Sequence, residues 1–179
     1  VLPLARKVSG AKLGLVGLGR IGRTIALRAG GFEMEVRYHS RRVVDGVPWA
    51  HETSLLDLAR WADFLVIITA GGPATQHLVN SVVLDALGPD GFLVNVARGS
   101  VVDEAALVQA LQQRRIAGAG LDVFADEPRV PEALFALDNV VLVPHIASAT
   151  RETRQAMADR VAENLRSFFA TGHPVSSAI

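Results

Sequence analysis

The segment that decides the fold is LGLVGLGRIG, residues 13–22 of the 179-residue chain. A short run of apolar and small residues leads directly into the pattern G-x-G-x-x-G, whose glycines are Gly17, Gly19 and Gly22. The first glycine allows a tight turn, the second lets a ligand approach the backbone, and the third lets a helix pack closely on the strand. Free amides at the start of that helix attract an anion. The segment therefore predicts a strand, a phosphate-binding turn and a helix, with a dinucleotide as the ligand.

Short apolar runs alternate with longer amphipathic ones along the rest of the chain, which is typical of repeated β-α units. We expect strands at 13–16, 33–39, 64–69, 92–96, 117–122 and 140–143. We expect helices at 21–29, 55–59, 82–87, 104–113 and 150–171, with Asp103 and Thr150 as N-caps and Gly172 as a C-terminal stop. The pattern predicts an α/β fold with a Rossmann-type doubly wound parallel sheet in three α/β/α layers. An isolated glycine turn could simply join two elements, but five further strands favour the dinucleotide interpretation.

Composition excludes several functional classes. Eighteen Lys and Arg residues balance eighteen Asp and Glu residues, so no overall charge draws the chain to nucleic acid or an anionic membrane. No apolar run approaches the roughly 18 residues that span a bilayer, and the opening VLPLARK lacks the apolar core of a signal peptide. There is no cysteine, which excludes disulfides and thiolate metal sites and fits a reducing compartment. We expect a cytoplasmic location and neither a nucleic-acid nor a membrane partner.

The length is that of one domain, and no internal repeat or linker interrupts it. We therefore expect a single NAD(P)-binding domain over residues 1–179. The chain begins at Val1 rather than at Met, which indicates a fragment or an excised domain. The long final helix, 150–171, is expected to reach a neighbouring domain.

The residues after the second predicted strand bear on the choice of cofactor. In an NAD-specific site an Asp or Glu about 20 residues past the glycines binds the ribose hydroxyls. This chain has YHSRR at 38–42 instead. Ser40 can hydrogen-bond a 2′-phosphate, and Arg41 and Arg42 can pair with its charge, so NADP(H) is favoured over NAD(H). Two alternatives stay open: the arginines form a solvated surface pair, or Asp45, in a predicted turn with Gly46, reaches back to the ribose.

Three later segments each follow a predicted strand and carry residues suited to chemistry. They are NVARGS at 95–100, LDVFADEP at 121–128 and PHIASAT at 144–150. In this order, and together with the glycine motif, they resemble the D-isomer-specific 2-hydroxyacid dehydrogenases, especially the glyoxylate/hydroxypyruvate reductase branch. The resemblance covers essentially the whole chain. It implies an oxidoreductase that transfers a hydride between a nicotinamide cofactor and a small 2-oxo or D-2-hydroxy acid.

The resemblance implies catalytic roles for Arg98, Glu127 and His145, and elementary chemistry agrees with those roles. Hydride addition to a ketone develops negative charge on oxygen, so the site needs a cation and a proton donor that titrates near neutral pH. The planar fork of Arg98 can hold a carboxylate and polarise the adjacent carbonyl. His145 suits proton transfer, and Glu127 would fix its tautomer and favour its protonated form. Taken singly, each residue has a structural alternative: a helix-terminal ion pair, a turn carboxylate and a loop histidine.

The glycine motif, the segment after the second predicted strand and the resemblance together assign residues to the cofactor. We expect contacts with the dinucleotide from Gly17, Leu18, Gly19, Arg20, Ile21, Gly22, Ser40, Arg41, Arg42, Ala97, Asp122, His145 and Ala147. Asp122 is expected near the nicotinamide carboxamide. Loop 69–75 resembles a family loop near the cofactor, although Gly71 and Gly72 depart from the usual pattern and leave a simple loop as an equal alternative. His39, His51, His77 and His173 have no metal-ligand spacing, so no metal site is expected.

The resemblance implies a protein of two domains, and we expect the substrate domain, which precedes the dinucleotide domain in the family, to be missing from this chain. We therefore expect the chain to bind NADP(H) but to turn over substrate poorly, since the implied enzyme closes over its substrate. Because relatives pair through this domain, a homodimer is expected. A second interpretation is a cofactor-sensing module similar to corepressors that share the fold, and a third is a homodimerising scaffold fragment. The identity of the oxo acid is left open.

Overall fold

The computed structural model describes residues 6–177, so residues 1–5 and 178–179 of the expected domain lie outside the described residues. The strands within this range are β1 (Lys12–Val16), β2 (Glu35–His39), β3 (Ala50–His51), β4 (Phe64–Ile67), β5 (Phe92–Asn95), β6 (Gly118–Leu121) and β7 (Val140–Leu142). The helices are α1 (Arg20–Ala29), α2 (Leu55–Trp61), α3 (Ser81–Leu87), α4 (Glu104–Gln112), α5 (Glu132–Phe135) and α6 (Arg151–Thr171). Short 3₁₀ turns lie at Gly30–Phe32, Pro73–Thr75 and Gly99–Val101.

The strands form one parallel sheet in the order β3-β2-β1-β4-β5-β6-β7. The chain builds outward from β1 to β3 and then returns to the other side of β1, so the strand order reverses between β1 and β4. Val16, at the end of β1, pairs with His39 on one side and Ile67 on the other. Ligands of such sheets bind beyond the carboxyl ends of the strands at this reversal. The predicted Rossmann-type sheet is confirmed, and the glycine motif follows β1 at that point.

Alternate residues of the central strands pack on opposite faces of the sheet. Leu13 and Leu15 of β1 belong to a hydrophobic cluster that includes residues of α1. Val16 belongs to a second cluster, which includes residues of α2, α3 and α4. Burial on both faces explains why these strands read as nearly continuous apolar runs. The helices on the two faces give the three-layer arrangement that the sequence predicts.

Several predicted helix ends are confirmed in detail. The side chain of Asp103 accepts a hydrogen bond from the amide of Ala106 at 3.0 Å, and Thr150 accepts one from the amide of Thr153 at 3.1 Å. Gly172 ends α6 in the left-handed conformation, with a φ of 79°.

Differences from the predicted elements have local causes. The second strand begins at Glu35 rather than at 33, because Glu33 is left-handed, with a φ of 56°, and closes the 3₁₀ turn after α1. The sequence patterns also missed β3 and α5. These elements are only two and four residues long, too short to show a period.

The chain divides into two compact units, one ending at Pro144 and one beginning at His145. The first unit contains the whole sheet. The second contains α6, a helix of 21 residues, none of which is buried. Its exposed apolar residues include Met157, Val161, Leu165 and Phe168. None of the helices within residues 6–177 combines the length and the apolar character needed to cross a membrane.

Candidate functional site

The glycine motif forms the turn between β1 and α1. Gly17 has a φ of 106°, which residues with a side chain rarely adopt, and a β carbon there would lie 3.0 Å from backbone atoms of Thr69. A β carbon at Gly22 would lie 2.6 Å from the carbonyl oxygen of Gly17, so α1 packs directly against the turn. Gly19, the N-cap of α1, has open space where a β carbon would be. These geometries fit a turn whose backbone is approached by a pyrophosphate.

A cleft of about 700 Å³ opens at this turn. Its walls are the last residue of β1 with the turn that follows (16–19), the last residue of β2 with the loop that follows (39–44), and residues 68–70, 74, 75 and 78 after β4. Such a volume lies within the range of about 300–1,000 Å³ that is usual for cofactor pockets. Six residues expected at the dinucleotide line it, namely Gly17, Leu18, Gly19, Ser40, Arg41 and Arg42. Of the others in the same unit, Arg20, Ile21 and Gly22 begin α1, whereas Ala97 and Asp122 follow β5 and β6.

The residues after β2 make one wall of the cleft basic. Arg41 and Arg42 are exposed, and the hydroxyl of Ser40 donates a hydrogen bond to the carbonyl oxygen of Arg42 at 2.5 Å. The lining residues, all of them described, include no Asp or Glu. Asp45 lies in the turn before Gly46, whose φ is 69°, and is not part of the lining. Two guanidinium groups without a carboxylate fit a phosphate monoester better than a pair of ribose hydroxyls.

The loop after β4 forms another wall of the cleft and also contacts Arg98. The hydroxyl of Thr75 donates to the carbonyl oxygens of Ala70 at 2.8 Å and Gly72 at 3.2 Å, which folds the loop on itself. A β carbon at Gly71 would lie 2.6 Å from Cγ of Arg98, so the glycine packs against the aliphatic stem of that side chain. Loop 69–75 is therefore more than a connection, because it joins the cleft to a candidate catalytic residue.

Arg98 projects from a turn after β5 whose backbone is fixed by Asn95. The side-chain oxygen of Asn95 accepts a hydrogen bond from the amide of Ala97, and its nitrogen donates to the carbonyl oxygen of Arg98, both at 3.1 Å. Asn95 is only 1% exposed, so these bonds satisfy an amide that water does not reach. The guanidinium Nη1 donates to the carbonyl oxygen of Ala97 at 2.6 Å. The turn thus sets where the Arg98 side chain begins.

Glu127 is anchored to the residues that follow β6. Its carboxylate accepts a hydrogen bond from the amide of Phe124 at 3.1 Å. Gly99 packs on the same backbone, and a β carbon there would overlap the carbonyl carbon of Phe124. Asp122 is buried, and its amide donates to the carbonyl oxygen of Asn95 at 3.0 Å. The structure therefore brings together, beyond β5 and β6, the turns that carry four predicted site residues, namely Ala97, Arg98, Asp122 and Glu127.

His145 and Ala147 lie in the second unit, in the segment that precedes α6. The φ of His145 is 53°, a left-handed conformation that is uncommon for a residue with a side chain. Glu33, His77 and Arg114 share it, so this conformation does not single out His145 as functional. The grouping of His145 with Arg98 and Glu127 stays a prediction.

Asn95, Gly71 and Thr75 all shape the first unit's site, but the sequence predictions give none of the three a role of its own and single out only the segments 95–100 and 69–75. A signal for Asn95 exists, since a polar amide that ends an apolar strand is buried and needs hydrogen-bond partners. No local signal exists for Gly71, because its contact with Arg98 joins residues that are distant in sequence.

Comparison with known proteins agrees with this geometry. Residues 2–147 match the family model described as D-isomer specific 2-hydroxyacid dehydrogenase, NAD binding domain. A 2-ketogluconate reductase from Gluconobacter oxydans is 49% identical over 167 residues, which are 93% of this chain and 54% of that protein. Glyoxylate/hydroxypyruvate reductase A HPR2 of Arabidopsis thaliana is 47% identical over 167 residues, which are 93% of this chain and 53% of that protein.

A solved structure shows the same relationship. The NADPH-dependent glyoxylate/hydroxypyruvate reductase of Sinorhizobium meliloti, in complex with NADP and malonate, matches with a TM-score of 0.95 and 49% identity. The match covers 98% of this chain and 55% of that one, so the chain spans about half the length of the relatives it matches. With its parallel sheet, glycine turn and matching sequence, the chain belongs to the D-isomer-specific 2-hydroxyacid dehydrogenase family, as its NAD-binding domain.

Proposed function

We propose that this chain is the dinucleotide-binding half of a reductase that uses NADPH to convert a small 2-oxo acid, such as glyoxylate or hydroxypyruvate, to the 2-hydroxy acid. The observation that carries the cofactor choice is the cleft wall that presents Arg41 and Arg42 and no carboxylate. The names of the relatives support the substrate class, since two of the three described above are glyoxylate/hydroxypyruvate reductases. The Sinorhizobium enzyme is named as NADPH-dependent.

Two parts of the cleft bind different phosphate groups of the dinucleotide. The first amides of α1, beyond Gly19, hold the pyrophosphate, as helix N-termini do with anions. Arg41 and Arg42 hold the 2′-phosphate through charge-assisted hydrogen bonds. The single hydroxyl proton of Ser40 is already donated to Arg42, so Ser40 can donate to a phosphate only by giving up that bond.

The catalytic roles are proposed on the family resemblance together with the anchoring of the side chains. A bound nicotinamide would supply the hydride for this reduction. Arg98 holds the substrate carboxylate and polarises the carbonyl, while Asp122 accepts hydrogen bonds from the carboxamide of the ring. His145 donates a proton to the carbonyl oxygen as negative charge develops there. The resemblance assigns Glu127 the role of orienting the imidazole.

A direct test is to titrate the purified chain with NADPH and with NADH by isothermal calorimetry. We expect NADPH to bind at least about tenfold more tightly, since one extra charge-assisted contact accounts for such a factor. Equal affinities would contradict the preference for NADP(H), and uptake of neither nucleotide would contradict the proposed function.

Substrate turnover needs the part of the relatives that this chain does not cover. We propose that a substrate domain closes over the 2-oxo acid and that α6, with its exposed apolar side chains, packs on that domain. The chain alone is therefore expected to bind the cofactor with little reductase activity. Rapid oxidation of NADPH by the isolated chain with glyoxylate would contradict this, and a panel of 2-oxo acids assayed with the complete protein identifies the substrate.

The remaining interpretations rank below the reductase. The relatives described above are named as reductases, and nothing in the cleft favours a corepressor-like module. A homodimer formed through this domain and a cytoplasmic location stay predictions. Size-exclusion chromatography with light scattering tests the dimer, and a monomer at micromolar concentration would count against both the dimer and the scaffold interpretation.

A further inference from the structure

Residues 40–44, the part of a loop that carries the two arginines, are held at both ends by side chains that do not line the cleft. The loop runs over residues 40–49 between β2 and β3, and its first five residues form the basic wall. The arginines themselves are exposed, so the position of their guanidinium groups depends on how firmly the loop backbone is fixed. Two side chains outside the lining, Tyr38 and His51, fix it.

Tyr38 fixes the far end of the basic wall. Its side chain is 1% exposed, and its hydroxyl accepts a hydrogen bond from the amide of Val44 at 2.9 Å. The carbonyl oxygen of Val44 lies 3.5 Å from the same hydroxyl, at the outer limit of a hydrogen bond. A buried phenol therefore ties Val44 back to β2, two residues beyond Arg42.

His51 fixes the near end. Its Nε2 lies 3.0 Å from the carbonyl oxygen of Ser40, and because a carbonyl only accepts, the ring donates the hydrogen. The imidazole packs on the ring of Tyr38 with 5.0 Å between centroids. His51 also pairs with Tyr38 in the short parallel ladder between β2 and β3. The short strand β3, which the sequence patterns missed, thus places the ring of His51 within hydrogen-bond distance of the Ser40 carbonyl oxygen.

We infer that Tyr38 and His51 are specificity-determining positioning residues, which preorganise the loop so that Arg41 and Arg42 meet the 2′-phosphate of NADPH. The inference rests on the proposed function. A loop that is already ordered loses less conformational freedom when its cations bind a phosphate, and this difference appears as affinity. NADH lacks that phosphate, so the affinity for NADH gains little from a loop that is ordered in advance. Tyr38 and His51 therefore act on the ratio of the two affinities without touching either nucleotide.

The test uses the purified chain and two single variants that break separate contacts. His51→Phe removes the donor to Ser40 and keeps an aromatic ring beside Tyr38, whereas Tyr38→Phe removes only the hydroxyl that holds Val44. Asn139→Ala is the matched control, because Asn139 also donates from its side chain to two backbone carbonyls, at 3.3 Å each, but beside β7 and away from the cleft. Dissociation constants for NADPH and NADH are measured for each, with melting temperatures as a check of folding.

We expect each variant to weaken NADPH binding about three- to tenfold, the equivalent of one net hydrogen bond, and to change NADH binding less than about twofold. Asn139→Ala should leave both constants unchanged even if it lowers the melting temperature. An unchanged NADPH constant in both variants, or equal loss of both nucleotides, would overturn the inference while leaving the proposed function intact. If one variant fails to fold, the other decides. Binding of neither nucleotide by the unsubstituted chain would overturn the proposed function and this inference with it.

Discussion

The side-chain nitrogen of Asn95 donates a hydrogen bond to the carbonyl oxygen of Arg98 at 3.1 Å, inside a turn that the same side chain also closes at Ala97. The backbone that carries the candidate substrate-binding guanidinium is therefore set by a buried amide that does not line the cleft. Displacements of about 1 Å at such a group can cost a hundredfold in rate.

Asn95→Asp is the substitution that tests this relationship. An ionised aspartate keeps the acceptor for Ala97, loses the donor to Arg98 and sets a carboxylate oxygen against a carbonyl oxygen. In the complete protein we expect kcat/KM for the 2-oxo acid to fall about ten- to a hundredfold, with the dissociation constant of NADPH unchanged. Asn139→Asp, immediately before the amino end of β7, is the control and should leave kcat/KM near the original value. Parallel loss of cofactor affinity would show that Asn95 supports the whole domain rather than Arg98.

Replacing Arg41 and Arg42 with Ala, singly and together, tests the basic wall of the cleft. Each hydrogen bond to a charged group contributes about 1.5–3 kcal/mol, so each single variant should bind NADPH roughly ten- to a hundredfold more weakly. NADH should change little, and the salt dependence of NADPH binding should decrease. Arg60→Ala, an exposed arginine on α2 paired with Asp57, serves as the control. Equal effects of the double substitution on both nucleotides would remove the argument for NADP(H).

Gly19 and Gly22 should respond differently to the same substitution. Nothing lies within 4 Å of a β carbon at Gly19, so Gly19→Ala should leave the melting temperature of the free chain nearly unchanged. The added methyl group would stand where we propose that the pyrophosphate binds, and affinity for both dinucleotides should drop at least about tenfold. Gly22→Ala places a β carbon 2.6 Å from the carbonyl oxygen of Gly17 and should lower the melting temperature by several degrees. Full cofactor affinity in Gly19→Ala would place the pyrophosphate elsewhere.

The sequence predicts those parts of this fold and site that depend on local rules. The glycine turn follows from backbone sterics, the central strands from their apolar runs, and the helix ends at Asp103, Thr150 and Gly172 from capping preferences. The supports of the site escape prediction because they join distant residues. His51 reaches Ser40 only after β3 pairs with β2, and that pairing comprises two residues.

Gly71 is an example of a site contact that the sequence does not reveal. Its local sequence pattern is uninformative, whereas its contact with Arg98 in the folded chain is specific. A β carbon there would lie 2.6 Å from Cγ and 3.1 Å from Cβ of Arg98, neither of which is the mobile end of that side chain. We therefore expect Gly71→Ala to displace the arginine stem and to lower kcat/KM of the complete protein about tenfold or more, mainly through a higher KM for the oxo acid.

The control for Gly71→Ala is Gly30→Ala. Gly30 has a φ of −58° and open space at its β carbon, so alanine should be neutral or slightly stabilising there. The affinity of Gly71→Ala for NADPH should stay within about threefold of the original, since the methyl group faces Arg98 and Gly71 itself does not line the cleft. An unchanged KM for the oxo acid would mean that the aliphatic stem of Arg98 shifts without moving the guanidinium group. Loop 69–75 would then have no part in substrate binding. A raised KM for the oxo acid with an unchanged dissociation constant of NADPH would instead show that loop 69–75 serves both cofactor binding and substrate binding. Thr75 and its neighbours would act at the cleft, and Gly71 would act at Arg98.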